Sequence, residues 1–206
     1  MGRFGCPARM KRSGSSRTSP ERAAADRSRG SGGHARAIFS VAAAWMLCIG
    51  FDLFFHAGLI ARLYLESSPF LLPPEVAFRR IPLGYLAFLG LTLGLFWLLR
   101  RLGIRGALAG FRYGVVAGAV VWGILSLGLY SISTAPPSLL AAWWFGQAVE
   151  LGLAGAVLGA AAKGVPLGRI WAMVAVAVVV LVAATVTLQS LGLAPAMKTV
   201  TALLLT

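Results

Sequence analysis

Apolar positions fall into five long runs, not at the three-to-four spacing of a soluble helix. The runs are Ala37–Ala61, Ile81–Leu99, Tyr113–Ile132, Leu139–Ala162 and Ile170–Leu191. At about 1.5 Å per residue, each is long enough as a helix to cross a hydrocarbon layer of roughly 30 Å. None keeps a polar face to turn toward water. The pattern predicts an all-α fold, a polytopic membrane helix bundle of about five transmembrane helices over residues 36–192. It is preceded by a disordered basic tail, residues 1–35, and followed by a short tail, residues 193–206. The fifth run is rich in Val and Ala, which in water would hint at a strand. In hydrocarbon an unpaired strand is excluded by its unsatisfied backbone, so it reads as a helix at the lipid-facing edge, with the other four as the core.

The connections are short and rich in breakers. The longest, Arg62–Arg80, carries Ser67-Ser68-Pro69 and Pro73-Pro74, and its prolines interrupt any continuous helix. Pro74–Arg80 suits a short helical turn with proline at its first position, and Phe70, Leu71 and Leu72 suit the membrane interface. Trp143 and Trp144 come after the Ala135-Pro136-Pro137 loop and suit an interfacial aromatic belt. The first run is long, carries Asp52 and His56 and lacks a clear small-residue cleavage site. It reads as an uncleaved helix and not as a signal peptide.

Small residues recur at four-residue spacing. The third run has Gly110, Gly114 and Gly118. The fourth has Ala148, Gly152, Ala156 and Ala160 on one stripe, with Gly155 and Gly159 beside it, and the second has Gly90 and Gly94. Such stripes let helix backbones approach closely, where dispersion and weak Cα–H contacts hold them. They predict close packing of the second, third and fourth helices. A homo-oligomer through these small-residue faces is the alternative use.

Charge sets an orientation. The chain has 206 residues, 58% of them hydrophobic and 12% charged, with a formal net charge of +13. Nine of the 19 Lys and Arg lie between Arg3 and Arg36, and most of the rest flank the runs. Nothing here forms a folded basic face or a nucleic-acid-binding signature, so the partner is the lipid bilayer and no nucleic acid is expected. Alternate flanks carry fifteen basic residues against four. The positive-inside rule then puts the N-terminus in the cytoplasm and the C-terminus outside. Sixteen Arg against three Lys, with abundant Ala and Gly, points to a high-GC bacterial source and hence to the inner membrane.

The chemistry must lie in the few costly residues. Asp52 and Glu150 are the two acids inside the runs. A carboxylate near a span centre costs roughly 2.5–3.5 kcal/mol on insertion scales. Cys48, Asp52 and His56 are each four apart and share one helix face. Gln147 lies three residues before Glu150 on a similar face. Ser126, Tyr130 and Tyr85 fall in the same outer half of the bundle. Together these seven residues, Asp52, His56, Gln147, Glu150, Ser126, Tyr130 and Tyr85, form the candidate polar intramembrane cluster, opening outward. Arg62, Tyr64 and Glu66, like Arg79 and Arg80, read as side chains that reach for the interface. One His with two carboxylates, and neither HExxH nor CxxC, gives no metal assignment, and nothing specifies a cofactor. Cys6 and Cys48 do not form a disulfide framework.

Three functions fit. The first is a small membrane protein that binds or passes a small solute, proton or lipid group through an outward-facing polar cavity. The second is an intramembrane enzyme using Asp52, His56 and Glu150. The third is a structural or accessory subunit with no ligand. The expected topology has a direct check. A membrane-impermeant thiol reagent applied from outside labels a cysteine placed at Thr134 and misses one placed at Arg105; the reverse pattern inverts the orientation.

Overall fold

The computed structural model describes residues 20–65 and 69–195. They form five helices: α1 (Pro20–Phe54), α2 (Pro74–Arg101), α3 (Ala107–Ile132), α4 (Pro137–Ala162) and α5 (Leu167–Ser190). A π-helical turn, Phe55–Leu59, and a 3-10 turn, Ala61–Tyr64, come after α1. Each helix is long and apolar enough to cross a membrane. The chain is an all-α polytopic membrane bundle, with no strand among the described residues.

The chain divides into two units, residues 1–35 and residues 36–206. In the first, helix begins at Pro20, where composition predicted disorder. The sequence accounts for this: proline suits the first turn of a helix, and Ala23, Ala24 and Ala25 are strong helix formers. Cys6 and the rest of the tail before Pro20 lie outside the described residues, as do Glu66 and Lys198. α2 also departs from expectation. It runs unbroken from Pro74 through Pro82 to Arg101, longer than the short turn predicted for Pro74–Arg80. Pro82 removes one backbone donor, to the carbonyl of Phe78, while the rest of the ladder continues.

In the second unit α4 is the central helix. Of its apolar window 72% is buried, against 44% for α1 and 6 to 17% for α2, α3 and α5. The core is therefore α4 with α1, and three helices lie at the edge where one was expected. Val41, Ala44 and Cys48 of α1 pack with Leu95 and Leu99 of α2 and with Ala154 and Leu158 of α4. Ala43 and Leu47 of α1 pack with Ala161 of α4 and Ile170 and Val174 of α5. Near one end Arg36 donates to the carbonyls of Ala161 and Val165 at 2.9 and 2.7 Å, a cation on the bare C-terminus of α4. At the opposite end, the Tyr64 end, Arg62 donates to the Gly192 carbonyl at 3.0 Å, and the rings of Phe70 and Trp143 lie 6.1 Å apart.

α3 and α4 meet along a seam of glycine. A Cβ at Gly110 would overlap the Gly155 carbonyl, one at Gly114 the Leu151 carbonyl and one at Gly159 the Gly106 carbonyl. The Gly106 amide, at φ +102°, donates to the Gly159 carbonyl at 2.7 Å. The α4 stripe in use is thus Ala148, Gly152, Gly155 and Gly159, which drops Ala156 and Ala160 from the expected one. α4 occupies the Gly110–Gly118 stripe. Gly90 and Gly94 of α2 have no neighbour within 4 Å. Close packing therefore holds for α3 on α4, and the small residues of α2 have no part in it.

The seam generates a sharp contrast between two substitutions. Gly114→Ala forces the helices apart and lowers stability by about 1–3 kcal/mol, the usual cost of overpacking. Gly128→Ala, with nothing within 4 Å, is neutral or slightly stabilising. Thermal unfolding in detergent checks both; equal melting temperatures would show that the seam is not tight.

Candidate functional site in the membrane interior

The polar residues at the end of α1 are placed by a change of helix type. Asp52 stands in the last α-helical turn and His56 in the π turn after it. Asp52 Oδ1 lies 3.3 Å from His56 Nε2. The π turn closes with the Ile60 amide donating to the Phe55 carbonyl at 2.9 Å. Gln189 of α5 donates to the Ala57 carbonyl at 3.2 Å. π turns are often found at functional sites, because the extra residue re-aims the side chains after it.

Tyr64, in the 3-10 turn, comes back over His56. Its hydroxyl lies 2.6 Å from His56 Nδ1 and accepts the Trp143 indole N–H at 2.7 Å. Burial pushes the Tyr64 phenol up to about 12, with the Asp52 charge adding to the effect and the Trp143 hydrogen bond opposing it. Tyr64 thus keeps its hydrogen at neutral pH. Indole nitrogen can only donate, so the one hydrogen on the Tyr64 oxygen is available to His56 Nδ1. That leaves the imidazole hydrogen on Nε2, facing Asp52. The chain Trp143–Tyr64–His56–Asp52 therefore has a single direction, fixed at both ends.

A second pair lies on α4. Gln147 Nε2 donates to Glu150 Oε2 at 2.8 Å. Gln147 is 4% exposed and Glu150 1%. Gln147 Oε1 and Glu150 Oε1 have no hydrogen-bond partner. Cys48 Sγ lies 3.9 Å from the Glu150 backbone carbonyl and stands between Thr92 of α2 and the Glu150 carboxyl. Asp52 and Glu150 are within electrostatic reach of each other, and the Tyr85 phenol of α2 is within reach of both. Phe55 is buried against Gly146, where a Cβ would overlap its ring. The site thus holds two acids and an unpaired amide oxygen with few donors, and it accepts hydrogen bonds more readily than it gives them. Such a set suits an occupant that donates hydrogen bonds or carries positive charge.

Of the residues singled out from sequence, the fold brings Asp52, His56, Gln147 and Glu150 into one region, with Tyr85 beside it. Glu150 is hydrogen-bonded to Gln147 and Asp52 stands against His56, and the two acids are not joined directly. Ser126 and Tyr130 lie elsewhere. They line a groove of about 570 Å³ between α3 and α4, with Gly123, Leu140 and Trp144. Ser126 Oγ donates to the Leu140 carbonyl at 3.4 Å, and Tyr130 is 61% exposed. The glycine seam aims this part of α3 along the flank of α4, away from α1. The two tryptophans assigned to the aromatic belt also act differently. Trp143 turns inward to Tyr64, and Trp144 donates to the Ala119 carbonyl at 2.9 Å.

Sequence reasoning misses Tyr64 and Trp143 as site residues. Trp143 carries a usable signal, since Trp143, Gln147 and Glu150 repeat at four and three along one face of α4. Tyr64 carries none, because the π turn changes the phase between it and His56. Among the described residues no group of three or more His, Cys, Asp and Glu could hold a metal ion.

No protein-family model, curated protein or solved structure matches the chain, and the site is read from its own chemistry. That chemistry makes a prediction about stability. Glu150→Gln places an amide donor beside the unpaired Gln147 oxygen and keeps the acceptor for Gln147 Nε2. It holds or raises the melting temperature, by an increment worth about 1 kcal/mol, one net hydrogen bond. Glu150→Leu strands both Gln147 groups and lowers it. Differential scanning fluorimetry of the two variants is the check, and a destabilised Glu150→Gln would mark the carboxylate as a structural lock.

Proposed function

We propose that this protein binds a small cation, the proton included, at an intramembrane site built on Glu150, Gln147 and Asp52, and passes it through the membrane. The observation that carries the reading is the pair of unpartnered acceptor oxygens on Gln147 and Glu150, in side chains that are 96 to 99% buried. An unpaired acceptor buried in an apolar bundle costs about 1–3 kcal/mol. A role that needs only rigidity is served better by leucine, whereas a binding site needs acceptors left open for its ligand. The charge distribution supports access from outside the cell at the Tyr64 end, with the N-terminus in the cytoplasm of a bacterium. In this reading the bilayer is the protein's medium, and the cluster opens toward the outside.

The test is flux. Purified full-length protein is reconstituted into liposomes carrying a pH-sensitive dye, and proton and sodium gradients are imposed separately. The wild type dissipates at least one gradient faster than protein-free liposomes. Glu150→Gln and Asp52→Asn, shown to be folded by their melting temperatures, fall to the protein-free rate. Wild-type flux equal to that of protein-free liposomes, or undiminished flux in both variants, overturns the reading.

A further inference from the structure

We infer that Tyr64, His56 and Asp52 form a one-ended proton inlet, in which the Tyr64 hydroxyl is the relay between the surface and Asp52. This rests on the cation-binding reading and deepens it, by naming the proton as a ligand and the Tyr64 end as its entrance.

The geometry supports each link. Tyr64 is partly exposed, in the turn after the α1 span, while Asp52 lies inside the span. The oxygen of Tyr64 is 2.6 Å from His56 Nδ1, and His56 Nε2 is 3.3 Å from Asp52 Oδ1. The first is a hydrogen-bond separation, and the second is an ion-pair contact that shortens by a few tenths of an ångström when the Nε2 hydrogen is handed to Asp52. The Trp143 indole fixes the starting state. It occupies one lone pair of the Tyr64 oxygen, so the hydroxyl hydrogen is free for Nδ1, and the imidazole hydrogen then sits on Nε2.

The steps balance. A hydronium at the surface gives a proton to the Tyr64 oxygen, as the Tyr64 hydrogen moves to Nδ1. The Nε2 hydrogen moves to Asp52 Oδ1, turning the carboxylate into the acid. Tyr64 ends as a neutral phenol and His56 as a neutral imidazole with its hydrogen on Nδ1. The hydronium is left as water. Release is the same sequence reversed, which returns the hydrogen to Nε2. The groups facing the wire are Cys48 on α1, Tyr85 on α2, and Trp143 and Glu150 on α4, with the Gln189 amide from α5 on the turn beside His56. Among them only Glu150 is an acid, and it stands within electrostatic reach of Asp52.

The experiment separates the inlet from the site it serves. Infrared difference spectra of the reconstituted full-length protein follow carboxyl protonation after a pH jump, with Asp52→Asn and Glu150→Gln assigning the two bands. In the wild type the Asp52 band appears promptly on acidification. Tyr64→Phe keeps the ring but removes the relay, and it slows that band by roughly a hundredfold, the scale on which a positioned proton-transfer group acts. Its final amplitude is unchanged. Phe51→Leu removes a ring stacked 5.7 Å from Phe55 and no group of the wire, and it keeps a rate near that of the wild type. A Tyr64→Phe rate equal to the wild type overturns the inlet, as does Phe51→Leu slowing as much as Tyr64→Phe, which would assign the effect to packing. A Glu150 band without an Asp52 band overturns the inlet and leaves the binding site standing. If neither acid changes protonation while sodium flux persists, the inlet fails and the cation reading survives. Without either band or flux, both fail.

Discussion

The glycine seam between α3 and α4 is the constraint on which the rest of the bundle depends. No hydrophobic drive separates one apolar helix from another in lipid, so association there rests on contact, and contact rests on shape. Gly110, Gly114 and Gly118 bring α3 onto the backbone of α4 itself. α3 fully buries only these glycines; Phe111 and Val115 lie half-buried over Gly152, Tyr113 packs on the core, and many of the other side chains face outward. The seam uses only one stripe of α4. The adjoining stripe, with Trp143, Gln147, Glu150, Ala154 and Leu158, is left for α1 and α2. The polar site exists because one helix can serve two neighbours on two adjacent faces.

The site's balance of donors and acceptors reflects the low dielectric around it. Most hydroxyl groups in the spans are satisfied locally. Thr92, Thr185 and Thr187 each donate to a carbonyl one turn back. The polar groups at the meeting of α1 and α4 are not. There the Glu150 and Gln147 oxygens stay open, while at the Tyr64 end every group of the Trp143–Tyr64–His56–Asp52 chain is engaged. A directional chain of contacts thus stands next to an acceptor pair with one open oxygen on each side chain.

The π turn links these two regions. An inserted residue rotates the side chains after it by about 100° and frees backbone carbonyls. Gln189 takes up one of them, so that α5, otherwise an edge helix, helps hold His56 in place. The 3-10 turn then brings Tyr64 back over the end of its own helix. Arg62, two residues earlier, ties the turn to the Gly192 carbonyl after α5.

Sequence alone determined the number of spans, the membrane class and the two acids worth attention, because span length, apolarity and the cost of a buried carboxylate are local properties. It also determined that Asp52 and His56 would touch, since helical spacing of four makes them neighbours on one face. The tertiary structure decided which stripe of α4 takes α3. Gly152 belongs to either candidate stripe, and the choice rests on how two backbones interlock. It also decided that Ser126 and Tyr130 leave the cluster, because that depends on the direction the seam gives to α3. Tyr64 entered the site through the phase change of a π turn, which brings it to Trp143, a residue already on the Gln147–Glu150 face of α4. No residue pattern announces such a turn, because it is stabilised by groups such as Gln189, 132 positions further along the chain.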